Sequence, residues 1–398
     1  MKTVFVLVDA LKSLYLTKEN MPFLYSLSKK SYYVEQIIPC SGFCERSEIF
    51  SGLDGYDTGN FTAIGYLPEE SPYRKDGFII SLFCLVELFS KRVARRLFSM
   101  WRVKRQRRLG CYRIPLKSLK YFALTEDGSK QLIPHRDIFN ELDEANMHYT
   151  LDGFTALSDL QTRCKMSVDA FAISEIEKGT DFIPVYIGEI DSMGHKYGKD
   201  IDSLKPYLKK VDDQLKRIYK VVEQHEYAFC VMGDHGMVPV TKKVDVITGI
   251  KELGLRLHKD YEAFYDSTLA RFWFNNKEAE QRVIRFLQDS LSKDGIIVDE
   301  SNCEKYRVPL HVKNKDGRPV YGDIVWCANP GVLISPDYFH KAEESENGMH
   351  GYIEVVEGHG TGLFVKYIKN IQPIEVDKAE SSEICGELCA LLGVKKPN

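Results

Sequence analysis

The chain of 398 residues lacks several features that would assign it to a common class of protein. It has no apolar run approaching the roughly 20 residues that a membrane-spanning helix needs. It also lacks the Gly-x-Ser-x-Gly elbow of an α/β hydrolase and the Gly-rich Lys-Ser/Thr loop of a kinase or GTPase. Neither charge sign is in large excess, since the formal net charge is −3. No sequence-specific nucleic-acid partner is therefore expected.

The ten cysteines form no Cys-x-x-Cys pair, which argues against a cysteine zinc site. An export signal is not recognisable either, because the apolar stretch Thr3–Val8 runs directly into Asp9 with no small-residue cleavage site behind it. Such a stretch is typical of a buried parallel strand. We therefore expect reduced thiols and a cytoplasmic location, peripheral at the membrane if the protein meets one.

The composition and the pattern of apolar segments predict a large α/β fold. With 44% hydrophobic and 28% charged residues the chain is typical of globular proteins, and its length suits one large domain with an inserted second unit. A helical pattern over 203–224 separates two continuous apolar stretches, which favours a mainly parallel sheet with helices on both faces. Ligands bind beyond the carboxyl ends of such strands. Acidic residues follow three of the stretches there, namely Asp9 after 4–8, Glu189 and Asp191 after 182–188, and Asp234 after 227–233.

Two regions interrupt this alternation and are predicted to be cap insertions over the crevice. The first, 71–133, is apolar and then basic, with fourteen Lys/Arg against two Asp/Glu between Arg74 and Lys120. The second, 260–338, contains an amphipathic helix over 278–291 and several Gly/Pro/Asn turns. The hydrolytic core would then comprise residues 1–70, 134–259 and 339–398.

Asp and His side chains recur at the predicted strand ends, where they are suitable ligands for divalent metal ions. Asp191 and His195 lie four residues apart and could reach one ion, with Gly194 allowing a tight turn between them. Asp234 and His235 are adjacent, so their side chains diverge and each can serve a different ion of a pair. Taken alone, each motif is equally compatible with a polar loop after a strand.

In order along the chain, these motifs resemble the nucleotide pyrophosphatase/phosphodiesterase branch of the alkaline phosphatase superfamily. The matching elements are Asp9, Asp191 with His195, Asp234-His235-Gly236-Met237, Gly348-Met349-His350-Gly351 and a closing helix over 383–393. The resemblance implies an alkaline phosphatase-like core with two divalent metal ions, for which zinc is expected and manganese is the alternative. It assigns one ion to Asp191, His195 and His350, and the other to Asp9, Asp234 and His235. His359, which also lies between glycines, competes with His350 as the late ligand.

The nucleophile is where the chain departs from the family pattern. The family places Thr or Ser nine residues before the Thr of a Thr-Gly pair, and counting back from Ser51 reaches Gly42, which has no side chain. We assign the role to Ser41, expected in the first turn of a helix, where it would also touch a metal ion. Cys40, Cys44 and Ser47 remain alternatives. Arg46 and Asn60 are predicted to bind non-bridging phosphate oxygens, and the absent Cys-x-Pro-x-Arg signature argues against sulfate esters.

The resemblance implies a metal-dependent hydrolase that cleaves phosphodiester or pyrophosphate bonds through a covalent seryl intermediate. The substrate would be a phosphodiester or nucleotide-type small molecule. A phosphomonoesterase or phosphotransferase of the same superfamily is the alternative enzyme. Because position 42 is glycine, a non-catalytic protein that binds phosphorylated ligands is the alternative of another class.

The apolar and basic segment 78–108 allows three interpretations. It is either a solvated helix face, a surface that collects polyanionic substrates, or an interfacial segment on an anionic membrane surface.

Overall fold

The computed structural model describes residues 1–105, 109, 113–125, 135–154, 165–340 and 346–398. The chain divides into two compact units. The first comprises Met1–Thr58, Asp127–Val240 and Glu346–Asn398, and the second comprises Gly59–Glu126 and Thr241–Ser345. The predicted insertions 71–133 and 260–338 fall mainly within the second unit. That they cap the crevice stays a prediction.

Within the described residues, short and mostly buried segments form the strands. They are β1 Thr3–Val8, β2 Tyr32–Ile38, β3 Ile64–Tyr66, β4 Phe122–Leu124, β5 Phe182–Ile187, β6 Ala228–Gly233, β7 Val238–Pro239, β8 Lys242–Val244, β9 Tyr261–Tyr265, β10 Leu269–Phe274, β11 Gly295–Val298, β12 Ile324–Ala328, β13 Val332–Ile334, β14 Gly348–Met349, β15 Gly362–Tyr367 and β16 Ile374–Glu380.

The described helices range from one turn to seven. They are α1 Pro22–Ser28, α2 Glu45–Ser51, α3 Gly55–Thr58, α4 Gly77–Phe89, α5 Lys91–Lys104, α6 Ile138–Glu144, α7 Val168–Lys178, α8 Glu189–Tyr197, α9 Ile201–His225, α10 Val246–Glu252, α11 Lys277–Leu291 and α12 Glu383–Leu392, with 3₁₀ turns at Ser13–Tyr15 and Leu116–Tyr121. No helix in the described part of the chain is both long and apolar enough to cross a membrane.

The first unit is built on a six-stranded sheet in the order β16-β2-β15-β6-β1-β5. Only β15 runs antiparallel to its neighbours in this sheet. Alternate residues of β1 supply the two faces: Val4, Val6 and Val8 pack with the apolar faces of α7, α8 and α9, whereas Phe5 and Leu7 pack with α2, α6 and α12. The predicted fold, a mainly parallel sheet with helices on both faces, is therefore confirmed.

The strand register brings the acidic strand ends together. β1 lies between β5 and β6 and is parallel to both, with Val8 opposite Ile187 and Leu7 opposite Met232. Parallel neighbours end at the same edge of a sheet, so Asp9, the start of α8 and the residues after β6 share one edge. The helical pattern predicted over 203–224 corresponds to α9.

The second unit contains a four-stranded antiparallel sheet in the order β11-β12-β10-β9. The predicted amphipathic helix over 278–291 is α11, and the apolar run over 78–89 is α4. Arg271 on β10 is fully buried, with its Nε donating to Asp266 Oδ2 at 2.8 Å and its guanidinium 4.6 Å from the centre of the Phe264 ring. The second unit thus buries the Arg271 charge beside a carboxylate and an aromatic ring.

Candidate metal centre

Six of the side chains predicted to bind metal form two groups at the edge where β1, β5 and β6 end. Within each group, the candidate ligand atoms lie within 4.8 Å of one another. The groups are Asp191, His195 and His350, and Asp9, Asp234 and His235. All six residues belong to the first unit.

Asp191 and His195 lie on a helix, which corrects the expectation of a turn. Both belong to α8, one helical turn apart, and His195 Nε2 is 3.3 Å from Asp191 Oδ1. Four-residue spacing places both side chains on one helix face. Gly194 serves close packing rather than turning, because a Cβ there would lie 2.9 Å from Cε of Met237.

His350 completes the first group from the loop after β14. Its Nε2 is 3.6 Å from Asp191 Oδ1, and its ring stacks on His235 with a centroid distance of 3.8 Å and an interplanar angle of 7°. The competing His359 is exposed and belongs to none of the ligand groups among the described residues. The geometry brings His350, and not His359, to the other candidate ligands.

Backbone carbonyls orient both of the other histidines. Nδ1 of His195 lies 3.0 Å from the carbonyl oxygen of Gly348, and Nδ1 of His235 lies 2.8 Å from that of Gly236. A carbonyl oxygen only accepts hydrogen bonds, so each Nδ1 must carry a proton. In a neutral ring the lone pair then lies on Nε2, as is common for metal-binding histidines.

In the second group, Nε2 of His235 faces the carboxylate oxygens of two buried aspartates. His235 Nε2 is 2.9 Å from Asp9 Oδ1 and 3.9 Å from Asp234 Oδ1, and all three residues are buried. The hydroxyl group of Tyr186 donates a hydrogen bond to the other carboxylate oxygen, Oδ2, of Asp9. The backbone N–H of Ala10 donates to Asp234 at 3.2 Å. These contacts fix both carboxylates with an oxygen turned towards the histidine.

The pKa values show that this cluster attracts positive charge. Burial alone would lower the pKa of His235, but Asp234 and Asp9 raise it well above its ordinary value. Burial and the adjacent Asp9 raise the pKa of Asp234. Two carboxylates that approach one imidazole out of water require a cation, either a proton or a metal ion. Oxygen and imidazole donors in sets of three fit a divalent metal ion with an open coordination position.

Glu45 is the candidate ligand that the sequence analysis missed. It is the first residue of α2 and 4% exposed, and its carboxylate lies within 4.8 Å of ligand nitrogens of both His235 and His350. The pKa of Glu45 is raised, mainly because the carboxyl group is buried. An acidic residue at a helix start is usually explained as favourable to the helix dipole, so its position in the sequence gave no signal.

The turn that carries the predicted nucleophile faces the same centre. Cys40, Gly42 and Glu45 line a narrow cleft with His235 and His350. Ser41 is buried but is not among the described residues that line this cleft.

The predicted position of Ser41 in the first helical turn is wrong, because α2 begins at Glu45. The N-cap of α2 is Cys44, and Ser47 lies in the first turn of this helix. Burial raises the pKa of Cys40 well above its ordinary value and keeps this thiol protonated. The catalytic and metal-binding roles of Ser41 stay predictions.

The two predicted phosphate-binding residues are found in different units. Arg46, on α2, is close enough that its charge contributes to lowering the pKa of Asp9. Asn60 is 5% exposed and belongs to the second unit. Both roles stay predictions.

Comparisons with known proteins agree with the predicted family. The model of the type I phosphodiesterase / nucleotide pyrophosphatase family matches residues 103–353. Ectonucleotide pyrophosphatase/phosphodiesterase family member 7 of Mus musculus is 24% identical over 258 residues, which cover 60% of this chain and 53% of that protein. Ectonucleotide pyrophosphatase/phosphodiesterase 1 of Saccharomyces cerevisiae is 22% identical over 278 residues, covering 62% of this chain and 36% of that protein. The chain thus matches about half or less of these relatives' length.

Solved structures share the fold over nearly the whole chain. Human ectonucleotide pyrophosphatase / phosphodiesterase 5 superposes with a TM-score of 0.71 at 13% identity, covering 99% of this chain and 96% of that one. An inactive variant of the murine protein in complex with AMP gives a TM-score of 0.69 at 13% identity, covering 100% and 96%. The relatives are named as ectoenzymes, and the cytoplasmic location expected for this chain stays a prediction. Since the family model covers well over half of its residues, the chain belongs to the type I phosphodiesterase / nucleotide pyrophosphatase family.

Proposed function

We propose that this chain is a hydrolase that cleaves phosphodiester or pyrophosphate bonds with two divalent metal ions. The supporting observation is the pair of three-residue ligand groups at one edge of the sheet. Asp191, His195 and His350 would hold one ion, and Asp9, Asp234 and His235 the other. When bound, two such ions supply positive charge to the oxygens of a phosphoryl group.

Zinc is the metal we propose, with manganese as the alternative. Three imidazole and carboxylate ligands with an open position are typical of catalytic zinc. Glu45 would contribute a further carboxylate, since its ligand atom lies near both His235 and His350. Three buried carboxylates, Asp9, Glu45 and Asp234, would then offset the charge of the ions.

The chemical step would be an in-line substitution at phosphorus. Ser41 Oγ forms a bond to phosphorus as the bond to the leaving oxygen breaks, and the hydroxyl proton passes to the leaving group. In the second step a water oxygen bonds to phosphorus, the bond to Ser41 Oγ breaks, and a water proton returns to the serine. Arg46 and Asn60 would bind the non-bridging oxygens.

Cys44 is the competing nucleophile, because it occupies the N-cap position of α2, and a helix N-terminus is the setting for which Ser41 is chosen. A helix N-terminus favours an anion at that position. The two candidates differ in one measurable respect. A phosphoryl group on the serine oxygen and one on the cysteine sulfur add the same mass to the chain, but the two esters differ in their stability towards acid and base.

A nucleotide is the substrate class that we propose. The support is a structural neighbour, the inactive variant of murine ectonucleotide pyrophosphatase / phosphodiesterase 5, which was solved in complex with AMP. The ligand groups identify the phosphorus chemistry but not the leaving group. A diester analogue therefore tests the reaction type before any nucleotide is chosen.

The experiment compares hydrolysis of bis-p-nitrophenyl phosphate and p-nitrophenyl phosphate with added Zn²⁺ or Mn²⁺. The variants are Asp191→Asn, Ser41→Ala and Cys44→Ala. Ser192→Ala is the matched control, since Ser192 is exposed on the same helix as Asp191. Bound metal is measured in each variant by elemental mass spectrometry. We expect Asp191→Asn to lose metal and activity, and Ser192→Ala to keep both.

Each outcome separates the alternatives. If the protein prefers the diester and Ser41→Ala abolishes its hydrolysis, the full proposal is supported. If Cys44→Ala abolishes hydrolysis instead, the nucleophile is Cys44 at the helix N-cap. Activity that survives both changes points to Cys40 or Ser47 as the nucleophile, or to direct attack by water. Monoester preference indicates a phosphomonoesterase or phosphotransferase. Two bound metals without turnover of either ester would contradict the hydrolase and favour a binding protein.

A further inference from the structure

We propose that the hairpin of α4 and α5 in the second unit docks onto an anionic membrane surface. The first observation is where apolar surface is exposed. Fourteen large apolar side chains are exposed in the described part of the chain, and nine of them lie on this hairpin. They are Phe78, Leu82, Leu85, Leu88, Phe89, Val93, Leu97, Met100 and Val103.

The exposed residues form one face on each helix. On α4 they recur at intervals of three and four residues from Phe78 to Phe89, and on α5 in the same way from Val93 to Val103. This is the spacing of a single helical stripe. Phe78, Leu88 and Phe89 are 78%, 80% and 92% exposed, respectively. Single exposed apolar residues are ordinary, but a contiguous patch of this kind marks a binding surface.

The opposite face of the hairpin is already packed. Phe98 is fully buried, and its ring lies between those of Tyr73, Phe83 and Trp101 at centroid distances of 5.5, 5.4 and 5.5 Å. Ser90 between the helices caps α5 by accepting a hydrogen bond from the N–H of Val93. The exposed apolar stripe is therefore not the face by which the hairpin packs on its own unit, because the hairpin already buries an aromatic face there.

Basic residues share the exposed face. Between Arg74 and Arg105 the chain has nine Lys/Arg and two Asp/Glu, and one of the two acids, Glu87, pairs with Arg95 at 3.1 Å. Along α5, exposed Arg92 and Arg96 each precede an exposed apolar residue of the stripe. Long cationic side chains beside apolar ones suit a lipid interface, where the charge reaches the headgroups and the apolar groups enter the acyl boundary.

This combination favours anionic lipid over the other occupants. A second copy of the chain would bring two strongly basic faces together, which like-charge repulsion opposes. A nucleic acid would pair with the cations but leave Leu88, Phe89 and the rest of the stripe in water. Anionic lipid satisfies both features, with each Lys or Arg near such a surface adding to the attraction.

The test is co-sedimentation of the full chain with vesicles of phosphatidylcholine alone and of phosphatidylcholine mixed with phosphatidylglycerol, at low and high salt. Arg92→Glu/Arg96→Glu reverses the charges, and Leu88→Glu/Phe89→Glu removes the apolar stripe at its most exposed point. The matched controls lie in the first unit: Lys209→Glu/Lys216→Glu on exposed positions of α9, and Ile374→Glu, an exposed apolar residue on β16. Hydrolysis of a soluble ester is measured in parallel.

We expect binding to the mixed vesicles that high salt weakens, because the Debye length shortens. The charge-reversed hairpin should bind at least about 30-fold more weakly, because the loss of each of the two cations costs about fivefold in affinity. Leu88→Glu/Phe89→Glu should also lose binding, whereas the controls and ester hydrolysis stay unchanged. Equal binding by wild type and both hairpin variants would overturn the proposal. So would a wild-type dimer, seen by light scattering, that Leu88→Glu/Phe89→Glu converts to a monomer.

Discussion

Glu48 on α2 should make the protein less stable as the pH rises. Its carboxyl group is 3% exposed, accepts the N–H of Gly55 at 2.6 Å and contacts the hydroxyl of Ser381. Burial is the main cause that raises its pKa from 4.5 to about 8; the hydrogen bonds of Ser381 and Gly55 lower the pKa, and the neighbouring Glu45 and Asp54 raise it by smaller amounts. A carboxyl group with a raised pKa in the folded protein favours folding while it is neutral. Its contribution is therefore fully present below pH 4.5 and lost as the pH rises through 8.

The isosteric change Glu48→Gln should remove this dependence. One pKa unit corresponds to about 1.4 kcal/mol. Relative to low pH, the raised pKa of Glu48 therefore lowers the free energy of unfolding by about 1 kcal/mol at pH 5 and by about 4 kcal/mol at pH 8. The difference in the free energy of unfolding between the variant and wild type should therefore be about 3 kcal/mol more favourable to the variant at pH 8 than at pH 5. The glutamine amide keeps an acceptor for Gly55 and a donor for Ser381.

The measurement is urea unfolding followed by far-ultraviolet circular dichroism, with a chelator present so that metal binding does not contribute. Tryptophan fluorescence would be unsuitable, because Trp101, Trp273 and Trp326 all belong to the second unit. Glu177→Gln, at an exposed position on α7, is the matched control and should show no such change. A stability difference between Glu48→Gln and wild type that is the same at both pH values would refute the reasoning.

Three further predictions concern stability and metal binding. Arg271→Leu should destabilise the second unit by about 3–5 kcal/mol, because Asp266 is left buried without its partner. Urea unfolding followed by tryptophan fluorescence measures the free energy of unfolding of this unit, and a value equal to that of wild type would contradict the prediction. Gly233→Ala should prevent folding of the first unit, since a Cβ would lie 1.8 Å from the carbonyl oxygen of Leu11, whereas Gly386→Ala in α12 meets nothing within 4 Å and should be tolerated. Tyr186→Phe should weaken metal binding about tenfold by releasing Asp9, as titration against a chromophoric chelator would show; unchanged affinity would exclude this positioning role.

The sequence predicted the core of the fold well because the strands are continuous and apolar. β1, β5 and β6 are buried on both faces, so their hydrophobic runs are unmistakable, and each stops at a polar residue. The helical period of α9 is equally clear, since its buried residues recur from Leu204 to Val222. Such periodic segments carry their structure in local sequence.

The site was predicted less evenly. Of His350 and His359, His350 lies with the other candidate ligands, and its role as a ligand stays a prediction. The turn predicted between Asp191 and His195 is wrong, because Gly194 has low helix propensity and yet lies inside α8. The start of α2 was placed several residues too early, since Ser41 suits a helix N-cap better than Cys44 does. Glu45 had no periodicity or motif to mark it. Its nearness to His235 depends on tertiary packing, which no local pattern encodes.

The order of strands in the main sheet has a consequence for synthesis of the protein. β15 lies between β2 and β6, and β16 covers the outer edge of β2, although both follow the other four strands of the sheet in the sequence. Until they emerge from the ribosome, β2 has no partner in the sheet, and the edge of β6 that faces away from β1 is open. His350 follows the other candidate ligands in the sequence, so one ligand group is completed only after the others have been made. A chain that stalls before β15 would be unable to hold its full complement of metal and would expose strand edges that invite aggregation.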